Sequence, residues 1–319
     1  MTALSREIVI PEIASEVYEG LTSRPKRLCP KLFYDAAGSA LFEEITRLPE
    51  YYLTRTEEEI LRTHADDIVA EAGDDLNLVE LGAGSARKTS VLIGALLRRQ
   101  REALYCPIDV SYAALRVAGR RLQAGFPTLR VRPVVSDYTS DMEVLRQLPG
   151  RKLVLYIGSS IGNFEPEDAL RVLRRIRARL GPGDALLLGT DLRKDSSVLI
   201  PAYDDPRGVT ARFNKNVLAR ISRELGGEFD LDLFRHRIRW NPKASRIEMY
   251  LESLVPQSVW VRLLRLMVHF DAGELLHTEN SYKYTDEWVL QMLEEGGFAL
   301  ENTWKDARSW YAVHLARVR

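Results

Sequence analysis

Cysteine is scarce in this chain, and long apolar runs are missing. Only Cys29 and Cys106 occur among 319 residues, with no metal-ligand spacing around either. We therefore expect two reduced thiols in a cytoplasmic protein, and no metal site. The longest apolar stretch, 185–189 (ALLLG), suits a buried strand and falls far short of a membrane-spanning helix. Residues 1–7 lack the apolar segment of a signal peptide, so we predict a soluble cytoplasmic protein with no membrane partner.

A net charge is also lacking, because 45 Lys and Arg residues balance 45 Asp and Glu residues. This balance argues against bulk electrostatic binding to nucleic acid. The local exception is an arginine-rich stretch, 171–179 (RVLRRIRAR), which overlaps an apolar stripe at helical spacing formed by Leu170, Leu173, Ile176 and Leu180. We interpret the arginines as the solvated face of a helix that covers a sheet. Nucleic acid is thus not an expected partner.

The middle of the chain alternates between short apolar runs and helical patterns, which predicts a parallel α/β sheet. The predicted strands are 76–81, 103–108, 129–135, 152–157 and 185–189. Ser85 is a candidate cap for the helix after the first strand, and further helices are expected at 112–125 and 166–180.

After Asp191 the pattern changes. A helix at 210–225 is followed by alternating runs at 246–251 and 259–270, which favour antiparallel strands. A helix at 285–295 and two strand-like stretches, 298–304 and 310–317, end the chain. A mostly parallel sheet with an antiparallel C-terminal hairpin is typical of Rossmann-like methyltransferases. We predict one such domain from residues 56–194 and 284–319, and an α+β substrate-binding domain from residues 1–55 and 195–283.

A glycine turn, 80–85 (ELGAGS), follows the first predicted strand. Glycines let the backbone approach a ligand, and Gly82 and Gly84 occupy two places of a dinucleotide-binding pattern. Arg87 stands where a third glycine is usual, which weakens a dinucleotide interpretation. The turn alone leaves a nucleotide cofactor and a purely structural turn equally open.

Two acidic residues make the prediction of a nucleotide cofactor more specific. Asp109 ends the second strand, where an acid can bond ribose hydroxyls, and Asp137 follows the third strand with Tyr138 beside it. Acids at both positions are more typical of S-adenosylmethionine binding than of NAD binding, although each alone could be a cap or loop residue. Lys88 could meet the cofactor's carboxylate or remain solvated. The five histidines are scattered, and no nucleophile–base pair is evident.

Several longer motifs resemble the histidine-specific Nα-methyltransferases of ergothioneine biosynthesis. They are 32–39 (LFYDAAGS), 45–57 (ITRLPEYYLTRTE), 157–163 (IGSSIGN), 188–191 (LGTD), 202–205 (AYDD), 213–217 (FNKNV) and 247–249 (IEM). The resemblance runs from about residue 20 to the C-terminus. It implies conversion of L-histidine to its trimethyl betaine, hercynine, with three equivalents of S-adenosylmethionine.

The resemblance also implies roles for single residues. The implied cofactor contacts are Tyr34, Gly82, Lys88, Asp109, Asp137, Tyr138 and Ser159. The implied substrate contacts are Tyr51 and Asn163 for the α-amine, Tyr203 for the carboxylate, Glu279 and Ser281 for the imidazole, and Met249 packed alongside. The second domain would form the substrate pocket and close it over the cofactor.

Two departures from the family pattern leave alternatives open. Tyr138 replaces a phenylalanine, and the loop 279–284 (ENSYKY) varies around its acid and serine. Relatives of this architecture act on tryptophan derivatives, so another amino acid is the main alternative substrate. A nucleic-acid methyltransferase is a more distant one. The oligomeric state is not readable from the sequence, and a monomer is the working expectation.

Overall fold

A computed structural model describes residues 13–139 and 142–319. The N-terminal residues 1–7, in which no signal peptide is expected, lie outside this range. The chain divides into two compact units. The smaller contains the described residues up to Phe42, Tyr203–Arg239 and Glu248–Glu279, and the larger contains Glu43–Ala202, Trp240–Ile247 and Asn280–Arg319. Among the described residues, no helix is long and apolar enough to cross a membrane.

The strands and α-helices are named in chain order. The strands are β1 Leu76–Leu81, β2 Ala103–Asp109, β3 Leu129–Val131, β4 Val134–Val135, β5 Arg151–Tyr156, β6 Ala185–Asp191, β7 Phe234–Asn241, β8 Arg246–Ser253, β9 Gln257–Val261, β10 Leu266–Phe270, β11 Leu275–Tyr282, β12 Phe298–Lys305 and β13 Tyr311–Val318. The helices are α1 Ala14–Thr22, α2 Ala36–Ile45, α3 Leu53–Ala72, α4 Thr89–Arg99, α5 Tyr112–Gly125, α6 Val144–Gln147, α7 Pro166–Arg177, α8 Ser196–Tyr203, α9 Val209–Leu225 and α10 Asp286–Glu295.

The larger unit is built on one sheet with the strand order β12-β13-β6-β5-β1-β2-β3, and β4 also pairs with β2. The pairs from β6 to β3 are parallel, whereas β13 runs antiparallel to both β6 and β12. β1 and β6 are mostly apolar and are buried almost throughout, because helices cover both sides of the sheet. The predicted α/β sheet with an antiparallel C-terminal hairpin is therefore confirmed.

Two apolar cores lie on the two faces of this sheet. One packs α3, α4 and α5 on the sheet through residues such as Leu61, Leu92 and Leu122. The other packs α7 and α10 on the opposite face, with Leu173 and Leu293 fully buried. The carboxyl ends of the parallel strands therefore meet at one edge of a sheet whose two faces are covered.

The smaller unit combines helices with antiparallel strands. A three-stranded sheet with the order β7-β8-β11 belongs largely to this unit, and β9 and β10 form a hairpin. Phe270 packs edge-on against Phe234 at a ring-centroid distance of 5.3 Å, and Phe229 lies 6.0 Å from Phe234. The domain boundaries given by the sequence remain a prediction.

Three local predictions were wrong. Ser85 does not cap α4, because Gly84 and Ala86 both have positive φ and the chain makes a further turn before the helix begins at Thr89. The run 129–135 splits into β3 and β4 around Pro133, which has no amide proton for the ladder. The run 259–270 is the β9–β10 hairpin, interrupted by a short helical turn that ends at Arg265 with φ of 48°.

Candidate active site

The glycine turn lies at the carboxyl end of β1, in the larger unit. Gly82 has φ of 71° and Gly84 has φ of 48°, values that side-chain-bearing residues rarely adopt. The amide of Gly82 donates to the Ile108 carbonyl at 2.8 Å, which ties the turn to β2. A Cβ atom added to Gly84 would meet no atom within 4 Å, so the turn borders open space that a ligand can occupy.

Asp109 ends β2 and holds this turn in place. One carboxylate oxygen accepts a hydrogen bond from the Gly84 amide at 2.8 Å, and the other accepts one from the Ser111 amide, also at 2.8 Å. The side chain is only partly buried. Asp109 therefore lies against the glycine turn, and its role as a ribose-binding acid stays a prediction.

Asp137 and Tyr138 follow β4 at the same edge of the sheet. Asp137 accepts hydrogen bonds from the amide and the hydroxyl of Thr139, at 2.8 and 2.5 Å. The Tyr138 ring lies 3.6 Å from the position of a Cβ at Gly82, and packs edge-on against Tyr156 at 5.6 Å between centroids. The structure thus brings an acid and an aromatic ring beside the glycine turn.

Lys88 is held by Glu57, a fully buried acid of α3. Besides this ion pair, Glu57 accepts hydrogen bonds from the Gly158 amide and the Tyr311 hydroxyl, each at 2.7 Å. A Cβ at Gly189 would lie 2.3 Å from the same carboxylate, so only glycine fits there. Glu57 therefore ties Lys88 to the loop that follows β5.

Glu80 is a second buried acid beneath the turn. It accepts hydrogen bonds from the Thr89 hydroxyl at 2.7 Å and from the Tyr105 hydroxyl. Burial raises the pKa of its carboxyl to about 7, although both hydrogen bonds and nearby Lys88 oppose the shift. The Glu80 carboxylate thus connects β1 to the start of α4 and to β2.

Ser159 and Asp191 form the centre of a buried polar cluster at the ends of β5 and β6. Ser159 has φ of 56°, and its hydroxyl oxygen accepts a hydrogen bond from the Asp191 amide at 2.9 Å. The fully buried Asp191 carboxylate accepts from the Tyr52 hydroxyl and pairs with Lys194 at 2.5 Å and Lys283 at 2.7 Å. Desolvation lowers the pKa of Lys194 to about 8, against the attraction of Asp191.

Three predicted substrate residues belong to the larger unit. Tyr51 and Ser281 are buried, and Asn163 is partly buried at the end of a short helical turn, Ser160–Asn163. A Cβ at Gly162 would lie 3.1 Å from the Tyr282 carbonyl oxygen, so this turn packs directly on the end of β11. Asn163 and Ser281 are thereby placed on neighbouring segments, close to Ser159.

The other three predicted substrate residues, Tyr203, Met249 and Glu279, are buried in the smaller unit. Asn214 of α9 connects their segments. Its amide nitrogen donates to His236 Nδ1 at 2.8 Å, and its oxygen accepts from the Thr278 hydroxyl at 2.7 Å.

His236 Nδ1 accepts in this contact, so Nε2 carries the ring proton and donates to the Tyr203 carbonyl at 2.9 Å. The Thr278 hydroxyl also lies 3.1 Å from the Met249 carbonyl oxygen. Burial lowers the pKa of His236, in keeping with a neutral ring. Tyr34 belongs to this unit too and packs edge-on against Phe42 and Phe213.

Sequence reasoning missed the residues that hold these positions, namely Glu57, Asp191, Lys194, Asn214, His236 and Lys283. Glu57, Asp191 and Asn214 lie inside the quoted motifs, but no pattern distinguishes a buried ion pair from an exposed polar residue. The partners are far apart in sequence: Lys283 lies 92 residues beyond Asp191.

The residues at the turn suit S-adenosylmethionine. Two positive-φ glycines leave open space, and the partly buried Asp109 and Asp137 offer carboxylate oxygens that can accept from ribose hydroxyls and an adenine amine. The Tyr138 ring offers a flat face beside them. In the described part of the chain, no group of three or more His, Cys, Asp or Glu side chains could hold a metal ion.

The arginine-rich stretch forms α7, and its side chains are engaged with the protein. Arg174 donates to the Glu295 carbonyl, Arg177 to the Gly297 carbonyl, and Arg175 to the Thr139 carbonyl. Ala169, Val172, Leu173 and Ile176 are buried on its other side. These arginines therefore fasten α7 to the neighbouring segments as well as covering the sheet.

The order of the sheet and the turn at β1 define the class of protein, a Rossmann-like methyltransferase. A sequence model described as histidine-specific methyltransferase, SAM-dependent, matches residues 13–318. The chain therefore belongs to this family, and it is an S-adenosylmethionine-dependent methyltransferase. The predicted family, enzyme class and cofactor are confirmed.

Individual relatives agree with this assignment. The chain is 45% identical over 315 residues to histidine N-alpha-methyltransferase of Mycolicibacterium smegmatis, covering 98% of this chain and 97% of the relative. It is 43% identical over 303 residues to the protein of the same name from Mycobacterium tuberculosis, covering 94% and 93%. It is 29% identical over 294 residues to ergothioneine biosynthesis protein 1 of Schizosaccharomyces pombe, covering 89% of this chain and 38% of that protein.

Proposed function

We propose that this enzyme transfers three methyl groups to the α-amine of L-histidine and produces hercynine in ergothioneine biosynthesis. Membership of the histidine-specific family supports the substrate, and relatives with matching names support the pathway. The observation that carries the proposal is strand β11, which places buried Glu279 and Ser281 two residues apart. Residues at this spacing point to the same face of a strand, so one strand offers a carboxylate and a hydroxyl to one ring.

The cofactor would be held by the turn at Gly82 and by Asp109, Asp137, Tyr138 and Ser159, with Lys88 and Tyr34 as further contacts. When bound, S-adenosylmethionine supplies a methyl group that its sulfonium already activates, so the protein has no need of a nucleophile of its own. What the protein contributes is orientation and removal of a proton from the accepting amine.

The proposed imidazole contacts explain the choice of histidine. A neutral imidazole has one N–H donor and one acceptor nitrogen, and the Glu279 carboxylate together with the Ser281 hydroxyl can bond both. A ring without these nitrogens would leave buried polar groups unpaired, which discriminates strongly against it. Met249 would pack against the ring, and Tyr203 would bond the substrate carboxylate.

Tyr51 and Asn163 are the proposed partners of the α-amine. A free α-amine is largely protonated at neutral pH, so binding must be coupled to loss of a proton before each transfer. A phenol and an amide can hold the nitrogen in place as its hydrogen-bond donors are replaced by methyl groups. Aromatic faces also tolerate the methylated ammonium group through cation–π attraction.

Mass spectrometry tests the proposal directly. The purified protein is incubated with S-adenosylmethionine and each of the twenty amino acids, and the masses of the products are measured. We expect histidine to gain one, two and then three methyl groups. Trimethylation of another amino acid while histidine stays unmodified would contradict the proposal and favour the alternative substrate, such as a tryptophan derivative. A cytoplasmic location and a monomeric state remain predictions of the sequence.

A further inference from the structure

Lys283 follows strand β11 in the larger unit, and its side chain is fully buried. Its ammonium group lies 2.7 Å from the Asp191 carboxylate and 2.7 Å from the Ser281 hydroxyl oxygen. Its backbone is fixed as well, because its amide donates to the Ser245 carbonyl and its carbonyl accepts from the Ser245 hydroxyl, each at 2.7 Å. These two side-chain contacts and the fixed backbone leave the Lys283 ammonium group little freedom to turn away from Ser281.

The chemistry of the two groups determines the direction of their hydrogen bond. An ammonium group has three donors and no acceptor, so Ser281 must accept in this contact. A hydroxyl carries a single proton, and the Ser281 proton is therefore directed away from Lys283. With Lys283 in place, Ser281 presents this proton as a donor to a further partner.

We propose that Lys283 is a positioning residue for substrate recognition, which holds Ser281 as the donor to the unprotonated imidazole nitrogen of histidine. The inference rests on the proposed function, in which Ser281 and Glu279 form hydrogen bonds with the imidazole ring of the substrate. Under this arrangement the Glu279 carboxylate accepts a hydrogen bond from the ring N–H, and the Ser281 hydroxyl donates one to the other ring nitrogen. A single neutral tautomer of the imidazole therefore satisfies both side chains. Lys283 thus makes the pair complementary to imidazole.

The surrounding charges make Lys283 suitable for substitution. Asp191 carries one negative charge between two ammonium groups, since Lys194 lies 2.5 Å from it. Removing Lys283 leaves Asp191 paired with Lys194 and still bonded to the Tyr52 hydroxyl at 2.8 Å. No buried charge is left unpaired, so Lys283→Met is expected to fold.

The test is a double-mutant cycle on the KM for histidine at saturating S-adenosylmethionine. Lys283→Met is expected to raise this KM about tenfold, the cost of one lost hydrogen bond, with a smaller change in kcat. Ser281→Ala should raise it by a similar factor. If Lys283 acts through Ser281, adding Lys283→Met to Ser281→Ala leaves the KM within about twofold of Ser281→Ala alone. Lys283→Arg, which keeps the donors, should recover much of the loss.

Lys152→Met is the matched control, because Lys152 is another buried lysine paired with an aspartate, Asp184, at 3.1 Å. It lies at the opposite end of its strand from the turn after β5, and the KM for histidine should not change. Calorimetric titration with S-adenosylmethionine reports on folding of every variant. Should Lys283→Met not fold, Lys283→Gln serves the same cycle.

A KM that is unchanged in Lys283→Met, or effects that multiply in the double variant, would overturn the role of Lys283. No effect of Ser281→Ala would remove both Ser281 from ring recognition and the inference built on it. Absence of histidine methylation by the unmodified enzyme would instead refute the proposed function, and is distinguishable by mass spectrometry before any variant is made.

Discussion

At the scale of single residues, the buried acids divide into two kinds. Glu57 and Asp191 are each paired with lysine, and their charge organises several neighbouring donors. Glu80 accepts hydrogen bonds from two neutral hydroxyls, and its pKa is raised to about 7. The first kind should be sensitive to loss of charge, and the second to pH.

Glu57→Gln should weaken both folding and cofactor binding. The substitution leaves Lys88 without its buried counter-charge and places an amide donor among groups that donate to the carboxylate. We expect a loss of about 3 kcal/mol in the free energy of unfolding, and about tenfold weaker S-adenosylmethionine binding. Denaturant titration and calorimetry measure the two effects.

The neighbouring Glu58→Gln is the control, since Glu58 pairs with the exposed Arg62 one turn along α3. Its effect should stay within about 0.5 kcal/mol. Equal effects of the two substitutions would mean that the Glu57 charge does not organise the site.

The raised pKa of Glu80 predicts that the stability of the protein depends on pH. Its folded pKa is about 7, against about 4.3 for an unperturbed glutamate. The folded state therefore binds more protons in this interval, and the contribution of Glu80 to stability declines as pH rises from about 4 to about 7. The difference in unfolding free energy between the unmodified chain and Glu80→Gln should fall across that window. A difference that stays constant or rises between pH 4.5 and pH 8 would contradict the raised pKa.

Glu279→Ala tests ring recognition. Loss of a carboxylate that pairs with an N–H should reduce kcat/KM for histidine about a hundredfold, because the ring donor is left unpaired. An indole substrate offered to the same variant should lose much less. Steady-state assays with both substrates make the comparison, and equal losses would take Glu279 out of ring recognition.

At the scale of elements, the sequence predicted the buried parallel strands well. Runs such as 76–81 and 185–189 are mostly apolar because both faces of the sheet are covered. The errors came where backbone conformation decides. The positive φ of Ala86 and Arg265 leaves no trace in the apolar pattern, whereas the strand break was signalled by Pro133 and was overlooked.

In the candidate site, too, some features could be predicted from the sequence and others could not. The positions of the glycine turn, of Asp109 at the end of β2 and of Asp137 after β4 follow from the sequence, because parallel strands bring their carboxyl ends to one edge. The network around Asn214 does not follow, since it links α9, β7, β8 and β11 by single hydrogen bonds between distant residues. Such pairings depend on the packing of the smaller unit.

Asn214→Ala is therefore a test of an element junction. Asn214 also donates to the Tyr250 carbonyl at 2.9 Å, so the substitution leaves His236, Thr278 and this carbonyl with a lost partner. We expect a loss of about 2–3 kcal/mol in stability and a KM for histidine raised about tenfold. Denaturant titration and steady-state assays measure the two effects.

Asn216→Ala, in the same helix, is the matched control. It removes hydrogen bonds to Asp35 and the Phe33 carbonyl and leaves the Asn214 network intact. It should lower stability without the same rise in KM for histidine. Equal rises in the two variants would show that the Asn214 network has no particular role in substrate binding.

At the scale of the whole molecule, the balance of charges argues for a small-molecule enzyme. The arginine-rich helix α7 departs locally from this balance, and its arginines donate to backbone carbonyls of the same unit. We predict no retardation of RNA or DNA in gel-shift assays, even at low salt, where electrostatic binding is strongest.

Arg177→Gln separates the two roles of this charge. Arg177 donates to the carbonyls of Gly297 and Arg319, so its loss should lower the free energy of unfolding by about 1–2 kcal/mol. If α7 were a nucleic-acid surface, the unmodified chain would shift RNA or DNA in the gel, and increasing salt would weaken that shift. The Arg177→Gln variant would give a weaker shift than the unmodified chain at the same salt concentration. A shift that responds to Arg177 would therefore contradict the structural role, whereas lower stability with no shift in either protein supports it.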